Sequence, residues 1–440
     1  MTYKEAVEFL FSRLPVFHRI GAAAYKPGLE TTISLLEALE NPHNKFKSIH
    51  IAGTNGKGSS SHSLASILQE AGYKTGLYTS PHLFDFRERI RINGQMIPEE
   101  KVVQMTEDWQ GLIDQLKPSF FELTVAMAFK HFADEKVDIA VVEVGMGGRL
   151  DSTNVITPEL CLITNIGLDH QKFLGNTIAE IAGEKAGIIK SGIPVIISED
   201  QEETRPVFIQ KASIENSPIQ FADELLTIED LGIKNGKREI RAVYNQSQLV
   251  ENYQLALTGN YQLKNIAGIL ASVEKLKSLG FQIGENAIRD GLAKVKLNTG
   301  LIGRWDVIHE KPMVICDTAH NEAGVRQICA QLSTLSYQNL WLVWGMVDDK
   351  DHHKILSLLP KSAKVIACQP DIPRALSSGE MAEIFRNAGF DCMEISEVGN
   401  AIRYCLDNAD PADLIFVGGS TFTVASIPSE IFFGSHLNLN

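Results

Sequence analysis

Ser48-Ile-His-Ile-Ala-Gly-Thr-Asn-Gly-Lys-Gly-Ser59 runs from a short apolar stretch into a turn holding three glycines and one lysine. The apolar run reads as a buried strand and the residues that follow, roughly 59–71, as an amphipathic helix. Glycine at 53, 56 and 58 opens backbone angles closed to other residues and lets an anion approach the main chain. The N–H groups at the helix start then point toward that anion. The stretch is a phosphate cradle in this reading, with Lys57 reaching the terminal phosphates and Ser59 offering a hydroxyl where magnesium would sit. It departs from the general phosphate-loop spacing, because Ile51 stands five residues before Gly56 where a glycine would be needed. A glycine-rich turn that binds nothing is the competing reading, and the flanking strand and helix count against it.

Length places this cradle inside something larger. A chain of 440 residues exceeds one compact core and predicts two domains, with three as the upper bound. Hydrophobic content of 44% and charged content of 22% are those of an ordinary soluble protein. A net charge of -13 argues against nucleic acid or an anionic membrane as partner, since either calls for a basic face. No apolar run reaches membrane-spanning length, and Met-Thr-Tyr-Lys-Glu lacks the layout of a signal peptide. Cysteines at 161, 316, 329, 368, 392 and 405 form no close pair of metal or redox type. A cytoplasmic monomer with free, mostly buried thiols is expected.

The first 45 residues read as helices joined by a loop, Gly21 to Gly28, expected to lie over the site. Beyond the cradle, Lys74 to Ser80 reads as a second strand ending in Thr79-Ser80-Pro81-His82, where hydroxyls lie at the ligand-facing end of an open α/β sheet. Arg87, Arg89 and Arg91 alternate and would share one face if extended, either as an anion site or as a solvated strand. A helix over 121–132 leads to the buried strand Asp138-Ile-Ala-Val-Val-Glu143. Its terminal acid would sit beside the cradle and hold magnesium, or serve structure alone. The glycine-rich segment Gly145 to Asp151 follows, then a strand from Cys161 leading to Asp169-His170, and a helix from Thr177 containing Glu184-Lys185-Ala186-Gly187. A small antiparallel ribbon is expected over 225–258 and helices over 264–278 and 285–293. Leu297 to Gly303 reads as the hinge. Strands at 313–317, 340–345, 363–368 and 413–419, with helices between, describe a second parallel sheet. The expected architecture is α/β: a P-loop NTPase-like parallel-sheet domain over 1–298 and a smaller Rossmann-like α/β domain over 299–440.

Taken in order, Gly53-Thr-Asn-Gly-Lys-Gly-Ser59, Thr79-Ser-Pro-His82, Glu88-Arg89-Ile-Arg91, Glu143-Val-Gly-Met-Gly-Gly-Arg-Leu-Asp151, Asp169-His170, Glu184-Lys-Ala-Gly-Ile188 and Asp317-Thr-Ala-His-Asn321 resemble folylpolyglutamate synthase and its bifunctional relative, dihydrofolate synthase, in the Mur ligase superfamily. The resemblance covers about residues 20 to 420. It implies an ATP-dependent amide ligase in which a substrate carboxylate attacks the γ-phosphate and the amine of L-glutamate displaces phosphate from the acyl phosphate. It further implies that Thr54, Asn55, Gly56, Lys57, Gly58 and Ser59 hold the triphosphate, joined by Asn265, Arg304 and Asp317. Ser80 and Glu143 would bind one Mg2+ and His170 a second. Lys185 is the lysine that this family carries as N6-carboxylysine. Asp317, His320 and Ser420 would lie near glutamate, and Phe121, Glu122, Leu150, Asp151 and Ser152 near dihydropteroate or folate. Catalysis would rest on Lys57, Lys185, His170, Asp317 and His320. Glu322 stands where the family commonly has proline. The rivals are a Mur-type ligase acting on a uridine-nucleotide-linked muramyl peptide, for which only about fifty residues precede the cradle, and an ATP-binding switch that ligates nothing.

Overall fold

The computed structural model describes residues 1–15, 28–348 and 352–434; the loop expected over 21–28 lies outside them but for Gly28. The chain forms two compact units, Met1–Leu301 and Ile302–Asn440, dividing within the Leu297–Gly303 stretch.

The first unit is built on an eight-stranded sheet. Its strands are β1 Lys47–Ala52, β2 Thr75–Tyr78, β3 Ile90–Ile92, β4 Gln95–Met96, β5 Ile139–Glu143, β6 Leu160–Ile163, β7 Val195–Ile197 and β8 Ile219–Phe221, in the order β4-β3-β2-β5-β1-β6-β7-β8. From β2 to β8 neighbouring strands are parallel, while β3 and β4 pair antiparallel at one edge. The central strands are buried along nearly their whole length because helices cover both faces. Ile49 and Ile51 of β1 pack with Leu64, Ile67 and Leu68 of the helix Lys57–Glu70 and with Ile266, Ile269 and Leu270 of the helix Gln262–Ser278. On the other side, Ala140 and Val142 meet Val125, Met127 and Phe129 of the helix Phe120–Asp134.

A three-stranded antiparallel sheet, β9 Leu226–Lys234, β10 Lys237–Tyr244 and β11 Leu249–Leu255, occupies the expected ribbon. The second unit holds β12 Asp306–Glu310, β13 Met313–Cys316, β14 Leu340–Trp344, β15 Lys364–Gln369, β16 Asp391–Glu397 and β17 Leu414–Gly418, ordered β12-β13-β17-β14-β15-β16. All pairs are parallel except β12 with β13. The sequence pattern misses β12 and β16, the two sheet edges. Their exposed, charged positions dilute the apolar signal that marks the inner strands.

The arginine alternation is resolved. Asp85 caps a 3-10 turn over Phe86–Arg89, with Glu88 closing a capping box, so only Arg91, in β3, lies on extended backbone and the three side chains meet different partners. Arg87 pairs at the surface with Asp85 at 2.7 Å and Glu99 at 3.2 Å. Arg89 is buried against Phe120 with its Nε donating to His82 Nδ1 at 2.7 Å, and Arg91 donates to the Gly94 carbonyl.

Candidate active site

The phosphate turn is held open by its own backbone. Gly56 takes φ +91 at the start of the helix Lys57–Glu70, and no N-cap side chain satisfies the first N–H groups of that helix, as an anion site requires. A Cβ on Gly56 would lie 2.3 Å from Asn265 Oδ1, which explains why the position admits only glycine. The turn is anchored to the segment after β6. Thr54 N–H donates to Asn165 O at 2.6 Å, Thr54 Oγ1 to Gly167 O at 3.1 Å, and Thr164 Oγ1 to Asn55 O at 2.7 Å. Asn265 reaches the turn from the helix Gln262–Ser278, where its Nδ2 donates to Gln262 Oε1 and Gln262 Nε2 donates to Ser59 Oγ at 3.0 Å. Gln262 escapes the sequence reading; the available signal is its spacing three residues before Asn265, which puts both on one helix face.

Two lysines converge beneath this turn. Lys57 Nζ donates to the carbonyls of Gly53 at 3.0 Å and Thr54 at 3.2 Å, and Lys185 Nζ donates to the same Gly53 carbonyl at 2.8 Å. Lys185 is buried on the helix Ile178–Ala186. Burial, then the charge of Lys57, pushes its amine down to about 7. Two sequence motifs place it there by packing on each other. Arg149 N–H donates to Glu184 O at 2.8 Å and its guanidinium pairs with the Glu184 carboxylate, while a Cβ on Gly148 would come within 2.8 Å of Glu184 O.

Glu143 ends β5, in register with Ile51 of β1 just before the turn. Its Oε2 accepts the Ser80 N–H at 3.1 Å, which brings the two residues expected at one metal together. His170 takes φ +50 after β6 and its N–H donates to Asp169 Oδ1. Among the described residues no group of three or more His, Cys, Asp or Glu side chains could hold a metal ion. A cation here would therefore draw most of its ligands from elsewhere, as Mg2+ commonly does with phosphate oxygens and water.

The residues expected near the pterin border one turn. The Phe121 ring lies against Gly145, and Asp151 Oδ2 accepts the Met146 N–H at 2.9 Å. Asp151 Oδ1 accepts from Thr153 N and Thr153 Oγ1, which caps the 3-10 turn Ser152–Val155. Leu150 is half-buried and Ser152 buried beside it. Glu122 is engaged differently from a ligand-facing acid. Its Oε2 accepts the Ser119 N–H at 2.6 Å in a capping box that starts the helix Phe120–Asp134, and its Oε1 accepts from Thr32.

In the second unit, Asp317 follows β13 and accepts from the N–H groups of Trp305 and Ala319, both at 2.8 Å. Arg304 Nη1 donates to Gly303 O at 3.1 Å and to Thr318 Oγ1. His320 Nδ1 contacts Thr318 O at 3.0 Å, and Ser420 Oγ accepts the Thr423 N–H as cap of the helix Thr421–Ala425. Glu322 opens the helix Glu322–Leu332, capped by Asn321.

A glycine phosphate turn and a strand-end acid in one α/β unit, with a second α/β unit after it, define a Mur ligase: the Mur ligase middle domain matches residues 51–273 and the Mur ligase glutamate ligase domain residues 303–421. Enzymes of this class form amide bonds. Within it, the chain belongs to the folylpolyglutamate synthase/dihydrofolate synthase family. It is 32% identical to the dihydrofolate synthase/folylpolyglutamate synthase of Bacillus subtilis, over 98% of this chain and 99% of that one. Its fold is similar to Mycobacterium tuberculosis folylpolyglutamate synthase complexed with ADP, with a TM-score of 0.87 at 30% identity over 98% of both chains. It is also similar to a bifunctional folylpolyglutamate synthase/dihydrofolate synthase with Mn, AMPPNP and L-glutamate bound, with a TM-score of 0.80 at 28% identity over 97% of both chains. No helix among the described residues is long and apolar enough to cross a membrane.

Proposed function

We propose that this chain uses ATP to join L-glutamate to dihydropteroate and to folates through an acyl phosphate. The observation that carries the reading is the meeting of Lys57 and Lys185 on one carbonyl, that of Gly53. Two amines share a buried oxygen only at a cost, which an anion at the turn relieves. The triphosphate is that anion, cradled by residues 54–59 with Asn265. An amine held near neutrality also suits Lys185 to become N6-carboxylysine, because only the uncharged amine adds CO2.

In this reading Phe121, Leu150, Asp151 and Ser152 line the pterin site, and Glu122 serves it by fixing the start of its helix. Lys57 draws charge from the γ-phosphate as the substrate carboxylate attacks. Arg304 and Asp317 serve ATP from the second unit, with Asp317, His320 and Ser420 serving glutamate. Because the Thr318 carbonyl can only accept, His320 carries a proton on Nδ1, a contact that orients its ring for the glutamate side of the reaction. Magnesium fits the oxygen donors of Glu143 and Ser80, with His170 proposed for a second ion, and when bound it shields phosphate from the incoming carboxylate.

The test is phosphate release together with transfer of labelled glutamate. Both are expected only when ATP, glutamate and either dihydropteroate or a reduced folate are present. Phosphate release without either acceptor would instead support the nucleotide switch.

A further inference from the structure

We infer that His50 is a positioning residue for the pterin-binding acid, acting on Asp151 through the hydroxyl of Thr153. The inference rests on the reading above that Asp151 faces the pterin.

His50 lies in β1, fully buried between β5 and β6, one residue out of phase with Ile49 and Ile51 of the core. Its Nε2 is 2.8 Å from Thr153 Oγ1, and Thr153 Oγ1 is 2.5 Å from Asp151 Oδ1. The polarity of this chain is determined at one end. Burial pushes the Asp151 pKa up, and the main-chain N–H groups of Thr153, Met146 and Gly145 oppose that shift; in its carboxylate form the acid only accepts. The Thr153 hydrogen therefore points to Asp151. Its oxygen is left to accept from His50, so Nε2 carries the imidazole hydrogen and Nδ1 is bare. That Nδ1 is buried and has no hydrogen-bond partner. Burial, reinforced by the charge of Lys190, holds the ring neutral, with its pKa down at about 3.

A buried ring nitrogen without a partner is costly, and an apolar residue in β1 would avoid it. What the imidazole supplies is a fixed direction for one hydroxyl. With Thr153 committed to Oδ1, that oxygen takes two donors, while Oδ2 takes the Met146 N–H beside the Gly145–Met146 turn that Phe121 packs against, so the carboxylate has only acceptor sites to offer. A ligand at this acid must therefore bring donors, as the amino and ring N–H groups of a 2-amino-4-oxopyrimidine ring do. His50 sets the site's preference for such a ring without touching it.

The test compares steady-state constants of His50→Leu, Thr153→Val, Thr153→Ser and the His50→Leu/Thr153→Val double variant. For Thr153→Val and His50→Leu, KM for dihydropteroate or folate is expected to rise about tenfold, the equivalent of one neutral hydrogen bond, with KM for ATP within about twofold of wild type. Thr153→Ser keeps the hydroxyl and should retain the wild-type value. The double variant should match Thr153→Val alone, because the two act as one unit. Additive effects, or equal changes in both KM values, would overturn the inference. Nitrogen-15 spectra of the wild-type protein give a reading independent of variant folding: a neutral Nε2–H tautomer at His50 is expected, and an Nδ1–H tautomer or an imidazolium at neutral pH would refute it. Wild-type protein inactive on pterins would instead defeat the proposed function.

Discussion

Two strand-to-helix junctions, one in each unit, solve the same geometric problem in opposite ways. After β1, Gly56 starts a helix that no side chain caps, and two lysine amines crowd the turn from below. After β13, the backbone is satisfied by the protein itself: Asp317 takes the N–H groups of Trp305 and Ala319, and Asn321 caps the following helix through the Gly324 N–H. The first junction keeps its donors for an external anion. The second uses its carboxylate to shape the loop that carries Arg304, Asp317 and His320. An uncapped helix start with cations beneath it is a binding site in waiting, whereas a capped one is a scaffold.

This contrast can be broken by substitution. Lys57→Ala should have the largest effect, a loss on the order of a thousandfold in ligation rate with a native circular dichroism spectrum; near-normal turnover would deny the first junction its role. Glu143→Ala is expected to cost about a hundredfold and to shift the magnesium dependence of phosphate release to higher concentration. Asp317→Ala should act on stability as well as rate. Leaving two buried N–H groups without a partner costs about 3 kcal/mol, read as a lowered denaturation midpoint.

Lys185→Met sharpens the comparison through pH. The folded amine titrates at about 7 and an ordinary lysine at about 10.4, so between these values the unfolded chain holds more protons than the folded one. In CO2-free buffer, wild-type stability should therefore climb relative to Lys185→Met from pH 7 toward 10 and run parallel to it below 7. A flat difference across that range would mean that burial beside Lys57 does not lower the Lys185 amine. Asn321→Ala should have the smallest effect, about 1 kcal/mol in thermal unfolding, without any gain in phosphate affinity.

Much of the catalytic half was legible because its chemistry is written in local runs. The glycine turn at 53–58, the acid ending Ile139–Glu143 and the Glu184-Lys185 helix each combine a periodic apolar segment with an irregular polar one, and both parts survive in sequence. Whether the arginines at 87, 89 and 91 share one face was left open by the sequence, because the capping box of Asp85 and Glu88 competes with strand pairing and alternation alone does not reveal which wins. At Glu122 the sequence does not show the capping box, since a capping acid and a substrate acid are the same residue type and the Ser119 N–H against it is seen only in the fold.

By itself, then, the sequence determined the class of fold, the glycine turn between the first strand and its helix, and the family, all of which depend on residues close together along the chain. Only the tertiary structure decided that Lys57 and Lys185 share a carbonyl, that Gln262 holds Ser59, and that His50 reaches Asp151 through Thr153. These contacts join residues more than a hundred positions apart. They arise because parallel strands and the helices that cover them bring distant segments together around the central β1, and burial there leaves each polar atom few partners to choose from.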